Sequence, residues 1–116
     1  SYTDFKYSKL KVSTKKNTTN VCVKIENIGN SDGADVIQLY IRDLESSVDR
    51  PIKELKAFKK IHLKKGDKKT IEFKLTERAF AFWDDVSKDW KVESGEFEIL
   101  IGKSSENIVL KKVIKL

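Results

Sequence analysis

Few residues of this chain carry side chains suited to nucleophilic or metal chemistry. The 116 residues include one histidine, His62, and one cysteine, Cys22. A catalytic serine or cysteine needs a base such as histidine beside it, and a tetrahedral metal site needs several converging histidine or cysteine ligands. His62 sits between two apolar residues, and Cys22 alternates with Val21 and Val23, which predicts an exposed strand histidine and a half-buried thiol. We therefore predict no catalytic residue, no metal site, no cofactor and no internal disulfide.

Paired carboxyl groups are the other chemistry to consider, because glycosidases cleave their substrates with two Asp or Glu residues held several ångströms apart. The chain contains 18 acidic residues, so abundance alone does not identify such a pair. Most of them alternate with apolar residues on predicted strands, which places them in solvent beside lysines. The sequence therefore predicts that this chain by itself is not an enzyme.

Four aromatic residues cluster late in the chain: Phe80, Phe82, Trp83 and Trp90. Aromatic side chains of this kind close one end of a core or pack against a neighbouring domain. Sugar-binding proteins also stack pyranose rings on exposed tryptophans, so Trp83 and Trp90 are the candidates for sugar stacking. Both interpretations stay open at the level of the sequence.

The basic charge of the chain lacks the pattern of a nucleic-acid binder. The net charge is +6, yet the chain has three arginines, and its lysines are interleaved with the acidic residues. Nucleic-acid-binding proteins usually concentrate arginine and aromatic residues on one face. No apolar run approaches the roughly 18 residues that a membrane helix needs. Neither nucleic acid nor a membrane is therefore a predicted partner.

Two features concern the origin of the chain. It contains no methionine and opens on no basic-then-apolar leader, which predicts that it is an excerpt from a longer polypeptide. A β-rich sequence without disulfides is typical of a reducing compartment, so we predict a cytoplasmic location.

The elements that must position these side chains are strands. Several segments alternate apolar and polar residues with a period of two, and turn residues separate them every 8–12 residues or so. The alternation changes phase near residues 5–12 and at 58–60, which predicts β-bulges or strands that switch sheets. Residues 76–82 are compatible with one helical turn, and residues 84–89 with a small extra hairpin. The pattern predicts an all-β fold, a fibronectin type III or immunoglobulin-like β-sandwich of about seven antiparallel strands, with residues 1–116 as one domain.

One strand and the loop after it look suited to contact with another surface. Residues 36–41 are apolar except for Gln38, so both faces of that strand need cover. Tyr40 shares the mixed face with Gln38, which fits contact with another protein. The loop from Arg42 to Leu55 is long and holds the single proline, and long ordered loops usually bind something.

Several motifs, in order along the chain, resemble the C-terminal fibronectin type III-like domain of family 3 glycoside hydrolases, the β-glucosidase family. The resemblance covers nearly all of the chain. Its pieces are the opening at 1–5, the strand and turn at 23–33, VIQLYIRD at 36–43, RPIKELKAF at 50–58, the turn at 63–67, Trp83-Asp84 with Trp90, and VESGEFEILIGKSS at 92–105. One departure is Ala57, where the family often has glycine.

The resemblance implies an accessory module of a carbohydrate-metabolising enzyme, a β-glucosidase or β-xylosidase. In that family the catalytic residues lie upstream, on a barrel of about 250 residues and a second α/β domain, so none is carried over to this chain. The implied partners are the upstream catalytic domains of the same polypeptide, and a dimer partner is a further candidate. The predicted interdomain contacts are Tyr40, Arg42, Arg50, Pro51, Lys53 and Glu54. The alternative is an autonomous carbohydrate-binding module that uses Trp83 and Trp90.

Overall fold

Two antiparallel sheets form the body of the molecule in the computed structural model, which describes residues 4–45 and 53–116. The strands are β1 (Phe5–Lys15), β2 (Thr18–Asn27), β3 (Gly33–Asp43), β4 (Glu54–Leu63), β5 (Lys68–Thr76), β6 (Phe82–Asp84), β7 (Asp89–Lys91), β8 (Glu96–Ser104) and β9 (Asn107–Lys115), with a 3-10 helix at Glu77–Phe80. The first sheet has the order β1-β2-β5 and the second the order β4-β3-β8-β9, while β6 and β7 pair as a small hairpin. The predicted all-β sandwich is therefore confirmed.

The core lies between the two sheets and is built from the alternating residues that the sequence pattern indicates. Val21, Val23 and Ile25 of β2 are fully buried and face the inner residues of β3 and β8. The intervening residues of β2, Cys22 among them, are half-buried on the other face of the sheet. Each strand therefore contributes every second side chain to the core, as the pleat of a strand requires.

The two open sides of the sandwich are formed by edge strands. β5 ends the first sheet and lies beside β4, which ends the second. On the other side β1 lies beside β9. Lys59 connects β4 to β5 on the first of these open sides: its Nζ donates a hydrogen bond to the backbone carbonyl of Glu72 on β5.

A buried asparagine organises the turn between β2 and β3. Asn27 is 1% exposed, and its Nδ2 donates to the carbonyls of Ser31 at 2.9 Å and Leu63 at 3.1 Å. Its Oδ1 accepts from the backbone N–H of Gly29 at 3.0 Å. The side chain thus ties the end of β2 to the turn and to the end of β4.

The structure confirms one predicted phase slip and corrects the other. In β1 the pairing with β2 shifts between Ser8 and Lys11, around Lys9, whose φ is 53°. In β4 the pairing with β3 is continuous over residues 57–60, so the predicted slip at that place is wrong. The bulge lies instead at Lys56. Leu39 of β3 pairs with Ala57 and Tyr40 pairs with Leu55, so Lys56 is an extra residue of β4 between them.

The predicted helical turn and hairpin are both present. The 3-10 helix carries Phe80, which is buried and meets Phe97 edge-on with 5.2 Å between ring centroids. The hairpin of β6 and β7 pairs Trp83 with Trp90. Over residues 4–45 and 53–116, no helix has the length and apolar character needed to cross a lipid bilayer.

Candidate interdomain surface

The outward side of the four-stranded sheet carries an unusual amount of apolar surface. In β3, Ile37, Leu39 and Ile41 face the core, so Tyr40 and Arg42 point outward. Tyr40 lies opposite Leu100 of β8 on this side, and both are more than 90% buried although they point away from the three-stranded sheet. The prediction that both faces of this strand need cover is consistent with that burial. We call this side the outer sheet face.

The neighbouring strand β4 adds exposed apolar groups to the outer sheet face. Leu55 lies opposite Tyr40 and is 48% exposed, and Phe58 lies opposite Gln38 and is 67% exposed. Val113 of β9 adds a third such side chain at the far edge, opposite Glu98. Scattered exposed apolar residues are ordinary, but residues on adjacent strands of one face form a contiguous patch of the kind that marks contact sites.

Phe58 and Leu55 were not predicted as contact residues. The available signal was the broken alternation at residues 58–60, where an aromatic residue precedes two lysines. That signal predicts a bulge equally well, and only the pairing with β3 shows that Phe58 lies opposite Gln38 and that the bulge at Lys56 brings Leu55 to the same side. The exposed ring therefore became visible only with the register of the sheet.

An ion pair lies beside the apolar patch. The Nη2 of Arg42 is 2.9 Å from Oε1 of Glu98, its cross-strand neighbour on β8. Glu98 is largely buried, whereas the side chain of Arg42 remains 39% exposed, and its Nε lies buried without a hydrogen-bond partner among the described residues. A half-covered guanidinium next to apolar surface suits a contact surface, because Arg is enriched in protein interfaces relative to the rest of the protein surface.

The other predicted contact residues do not all lie on this face. Lys53 lines a shallow cleft of about 190 Å³ together with Arg42 and Leu100, so it belongs to the outer sheet face. Glu54 lies opposite the core residue Ile41, and its Oε2 is 3.5 Å from Nζ of Lys56, at the side of the sandwich. Arg50 and Pro51 lie outside the described residues.

The start of the predicted contact loop is fixed to the end of the sandwich. The backbone N–H of Leu44 donates to the carbonyl of Glu96 at 3.0 Å, and Oε2 of Glu45 accepts from the backbone N–H of Glu96 at 2.6 Å. A Cβ at Gly95 would lie 2.9 Å from Oε2 of Glu45, the mobile end of that side chain. Glycine suits this position because its φ of 141° lies in a backbone region that other residues rarely adopt.

The tryptophan hairpin is exposed, but it is not an open platform. The rings of Trp83 and Trp90 meet edge to face, 5.6 Å between centroids and 75° between planes. The guanidinium carbon of Arg78 lies 3.7 Å from the ring centroid of Trp90 and so covers one face of that ring. Because a pyranose stacks on a flat, open aromatic face, the face of Trp90 that Arg78 covers is not available to a sugar, although the ring as a whole is 43% exposed.

Local polar contacts hold the hairpin in shape. Asp84 accepts a hydrogen bond from Oγ of Ser87 at 2.7 Å and pairs with Nζ of Lys91 at 3.0 Å. These two partners lower the pKa of Asp84 to about 2, the hydrogen bond from Ser87 being the larger cause. Nε1 of Trp83 donates to Oδ1 of Asp85 at 3.2 Å.

The residues singled out for chemistry lie apart from one another. His62 is exposed on β4, as predicted, whereas Cys22 is half-buried on β2. Burial and the neighbouring carboxylate of Glu72 raise the pKa of the Cys22 thiol, which disfavours the reactive thiolate. Within residues 4–45 and 53–116 no three His, Cys, Asp or Glu side chains form a group that could hold a metal ion.

One buried phenol ties the two sheets together. The hydroxyl of Tyr7 on β1 donates to Oδ2 of Asp35 on β3 at 2.9 Å. Burial, and then this hydrogen bond, raise the pKa of Tyr7 well above its ordinary value. Tyr7 therefore stays a neutral donor at physiological pH and serves the structure, not a reaction.

Known proteins that share this architecture carry it as part of longer chains. The family model of the fibronectin type III-like domain matches residues 35–105. The chain is 49% identical to thermostable β-glucosidase B of Acetivibrio thermocellus, covering all of this chain and 16% of that protein. The crystal structure of a GH3 β-glucosidase of Bifidobacterium adolescentis superposes with a TM-score of 0.95 at 38% identity, over 99% of this chain and 17% of that one.

A second solved structure agrees. β-Glucosidase 3B of Thermotoga neapolitana, in complex with α-D-glucose, gives a TM-score of 0.92 at 38% identity over 98% of this chain and 16% of that one. The chain thus spans about one sixth of the length of these relatives. The resemblance seen in the sequence motifs is confirmed: the chain belongs to the fibronectin type III-like domain family, in the form that occurs within family 3 β-glucosidases.

Proposed function

We propose that the chain is a non-catalytic accessory domain of a larger β-glucosidase-type glycoside hydrolase, in which the outer sheet face packs against a neighbouring domain and stabilises it. The observation that carries the proposal is the apolar patch of Leu55 and Phe58 beside the covered Tyr40 and Leu100. The relatives support it, because in each of them the matching segment is a small part of a much longer chain.

The proposed action is mechanical. A sandwich with a fully buried core of its own is a rigid body, and packing a rigid body across a domain boundary limits the relative motion of the parts. Arg42 and Lys53 border the patch and supply donors to a partner's carbonyl or carboxylate groups. Arg50 and Pro51 remain proposed contacts on the loop that follows Glu45, and Glu54 contributes at the side of the domain.

The exposed ring of Phe58 gives the free energy that packing against a neighbouring domain would contribute at this position. A phenylalanine buries about 200 Å², so the 67% that Phe58 exposes corresponds to about 130 Å². At about 25 cal/mol per Å², covering this area contributes about 3 kcal/mol. Replacing Phe58 by serine retains a small side chain, so the loss of interdomain free energy is about 2 kcal/mol, or roughly thirtyfold in a binding constant.

A chimera tests the proposal. The chain replaces the matching segment of thermostable β-glucosidase B of Acetivibrio thermocellus, and hydrolysis of a chromogenic β-glucoside is followed before and after heating. We expect the chimera to be active, Phe58→Ser to shorten its half-life at elevated temperature, and Val86→Ser to leave it unchanged. Val86 is the matched control, because it is 94% exposed and lies between β6 and β7, which form a separate hairpin and not part of the four-stranded sheet.

The controls separate folding from packing. In the isolated domain both variants should unfold at the same temperature as the parent chain, since neither side chain is buried. Equal half-lives of the two chimeric variants would refute the role of the outer sheet face. An inactive chimera that is nonetheless folded would contradict the accessory role itself.

The alternative of an autonomous carbohydrate-binding module has less support, because Arg78 already occupies one face of Trp90. Tryptophan fluorescence during titration with soluble glucans separates the two: a saturable change that Trp83→Ala abolishes would favour the alternative.

The cytoplasmic location and a dimer partner stay predictions.

A further inference from the structure

A groove on the open side between β4 and β5 is lined by cations and by one tryptophan. Its volume is about 380 Å³, which is within the range of ligand-binding clefts. Lys56 enters it from β4, Lys74 from β5, Arg78 from the 3-10 helix and Trp90 from the hairpin. We call it the β4–β5 groove.

The guanidinium in the groove is held in position. Arg78 lies flat enough against Trp90 to place its central carbon 3.7 Å from the ring centroid. A stacked guanidinium keeps its edge N–H groups available, and those N–H groups match the two oxygens of a carboxylate. Stacking therefore prepares Arg78 to bind a planar anion with less loss of side-chain freedom.

The groove lacks a negative charge of its own. None of its lining residues is acidic, and Lys74 and Arg78 have no carboxylate partner among the described residues. Lys56, whose side chain is only 18% exposed, has Glu54 at 3.5 Å. Positive groups gathered around one cleft repel one another, so an incoming anion is favoured there. The bulge that turns Lys56 toward the side of the sandwich helps to create this arrangement.

Lysine alone does not identify such a site. The opposite open side, formed by β1 and β9, also carries lysines, including Lys11, Lys111 and Lys112. Lysines on edge strands discourage pairing with other sheets, which is sufficient reason for their presence. Neither β1 nor β9 contains arginine or tryptophan, the residues that dominate the energy of protein contacts. The stack of Arg78 on Trp90 is what distinguishes the β4–β5 groove.

We propose that the β4–β5 groove receives an Asp or Glu side chain from an extended acidic segment of protein. The side chain's carboxylate would bind the fork of Arg78, with Lys74 beside it. An extended segment fits because β5 is an edge strand, and its outward backbone groups can accept a further strand. The covered face of Trp90 argues against a stacked sugar. The inference rests on the proposed function in one respect: the natural source of the acidic segment would be a neighbouring domain of the same polypeptide.

The experiment uses the 116-residue chain, which has its own buried core, and a synthetic Gly/Ser peptide with a run of glutamates. Tryptophan fluorescence and calorimetry report binding at low and at high salt. We expect binding that weakens as salt increases, a loss of about tenfold for Arg78→Gln, and an intermediate loss for Arg78→Lys, which keeps the charge but not the fork. Lys74→Gln should also weaken binding, whereas Lys112→Gln on the opposite side should change it by less than about twofold.

Three outcomes would overturn the proposal. The same peptide with glutamine in place of glutamate binds equally well; Arg78→Gln and Lys112→Gln have the same effect; or oligogalacturonate binds more tightly than the peptide, which would make an acidic sugar the ligand. Each result is independent of Phe58→Ser in the chimera, so failure of this site and failure of the proposed function can be told apart. Circular dichroism of each variant confirms that the exposed substitutions leave the fold intact.

Discussion

Replacing Asn27 with alanine removes the side chain that connects the end of β2 to the following turn and to the end of β4. The side chain donates to the carbonyls of Ser31 and Leu63 and accepts from the N–H of Gly29. The bond to Leu63 is fully buried, and leaving a buried acceptor without a partner costs about 1–3 kcal/mol. The other two are partly buried, so water can replace them in part, at about 0.5 kcal/mol each. The expected loss of unfolding free energy is therefore about 3 kcal/mol.

Urea unfolding followed by circular dichroism measures this loss. With a slope of about 1.5 kcal/mol per molar, the midpoint should fall by roughly 2 M while the slope stays constant. Asn20→Ala is the matched control, because Asn20 lies on the same strand and its buried Oδ1 has no hydrogen-bond partner among the described residues. We expect the control to lose less than about 1 kcal/mol. A loss for Asn27→Ala as small as that of the control would refute the reasoning, since the three bonds would then contribute nothing net.

Three further predictions concern the core, a tight turn and the hairpin. Phe80→Ala should lower the unfolding free energy by about 3–5 kcal/mol and Trp83→Ala by about 1 kcal/mol or less, because the Phe80 ring is buried and the Trp83 ring is half exposed. Equal losses of unfolding free energy for the two variants in urea would contradict the assignment of Phe80 to the core. Gly102→Ala should destabilise the β8–β9 ribbon, since its Cβ would lie 2.6 Å from a backbone carbonyl, and an unchanged thermal midpoint would contradict that contact. The carboxylate of Asp84 has a pKa of about 2, below its ordinary value, so its stabilising contacts are present above about pH 4 and are lost as pH falls toward 2. Ser87→Ala should raise that pKa toward 4, and an NMR titration that shows no shift would rule out the hydrogen bond as its main cause.

The alternation of apolar residues was enough to predict the fold class and most of the core. Val21, Val23 and Ile25 are buried as that pattern requires, because a strand's side chains point alternately to its two faces. The motifs were enough to predict the family, since seven pieces in a fixed order are hard to match by chance. The predicted contact residues stay a prediction, and they do not share one face: Tyr40 and Arg42 lie on the proposed outer sheet face, whereas Glu54 lies opposite Ile41.

What the sequence determined by itself is therefore the set of strands and, away from the irregularities in β1 and β4, the side of each strand that faces the core, because both are local properties of a chain with a period of two. Only the tertiary structure decided which residues meet across strands. The bulge at Lys56 turns Leu55 to the same outer side as Phe58, and Lys56 itself lines the groove with Arg78 and Trp90. The physical reason is that one extra residue in a strand moves the side chains beyond it to the opposite face of the sheet. The position of that extra residue depends on the pairing with β3, and the local sequence of β4 does not indicate it.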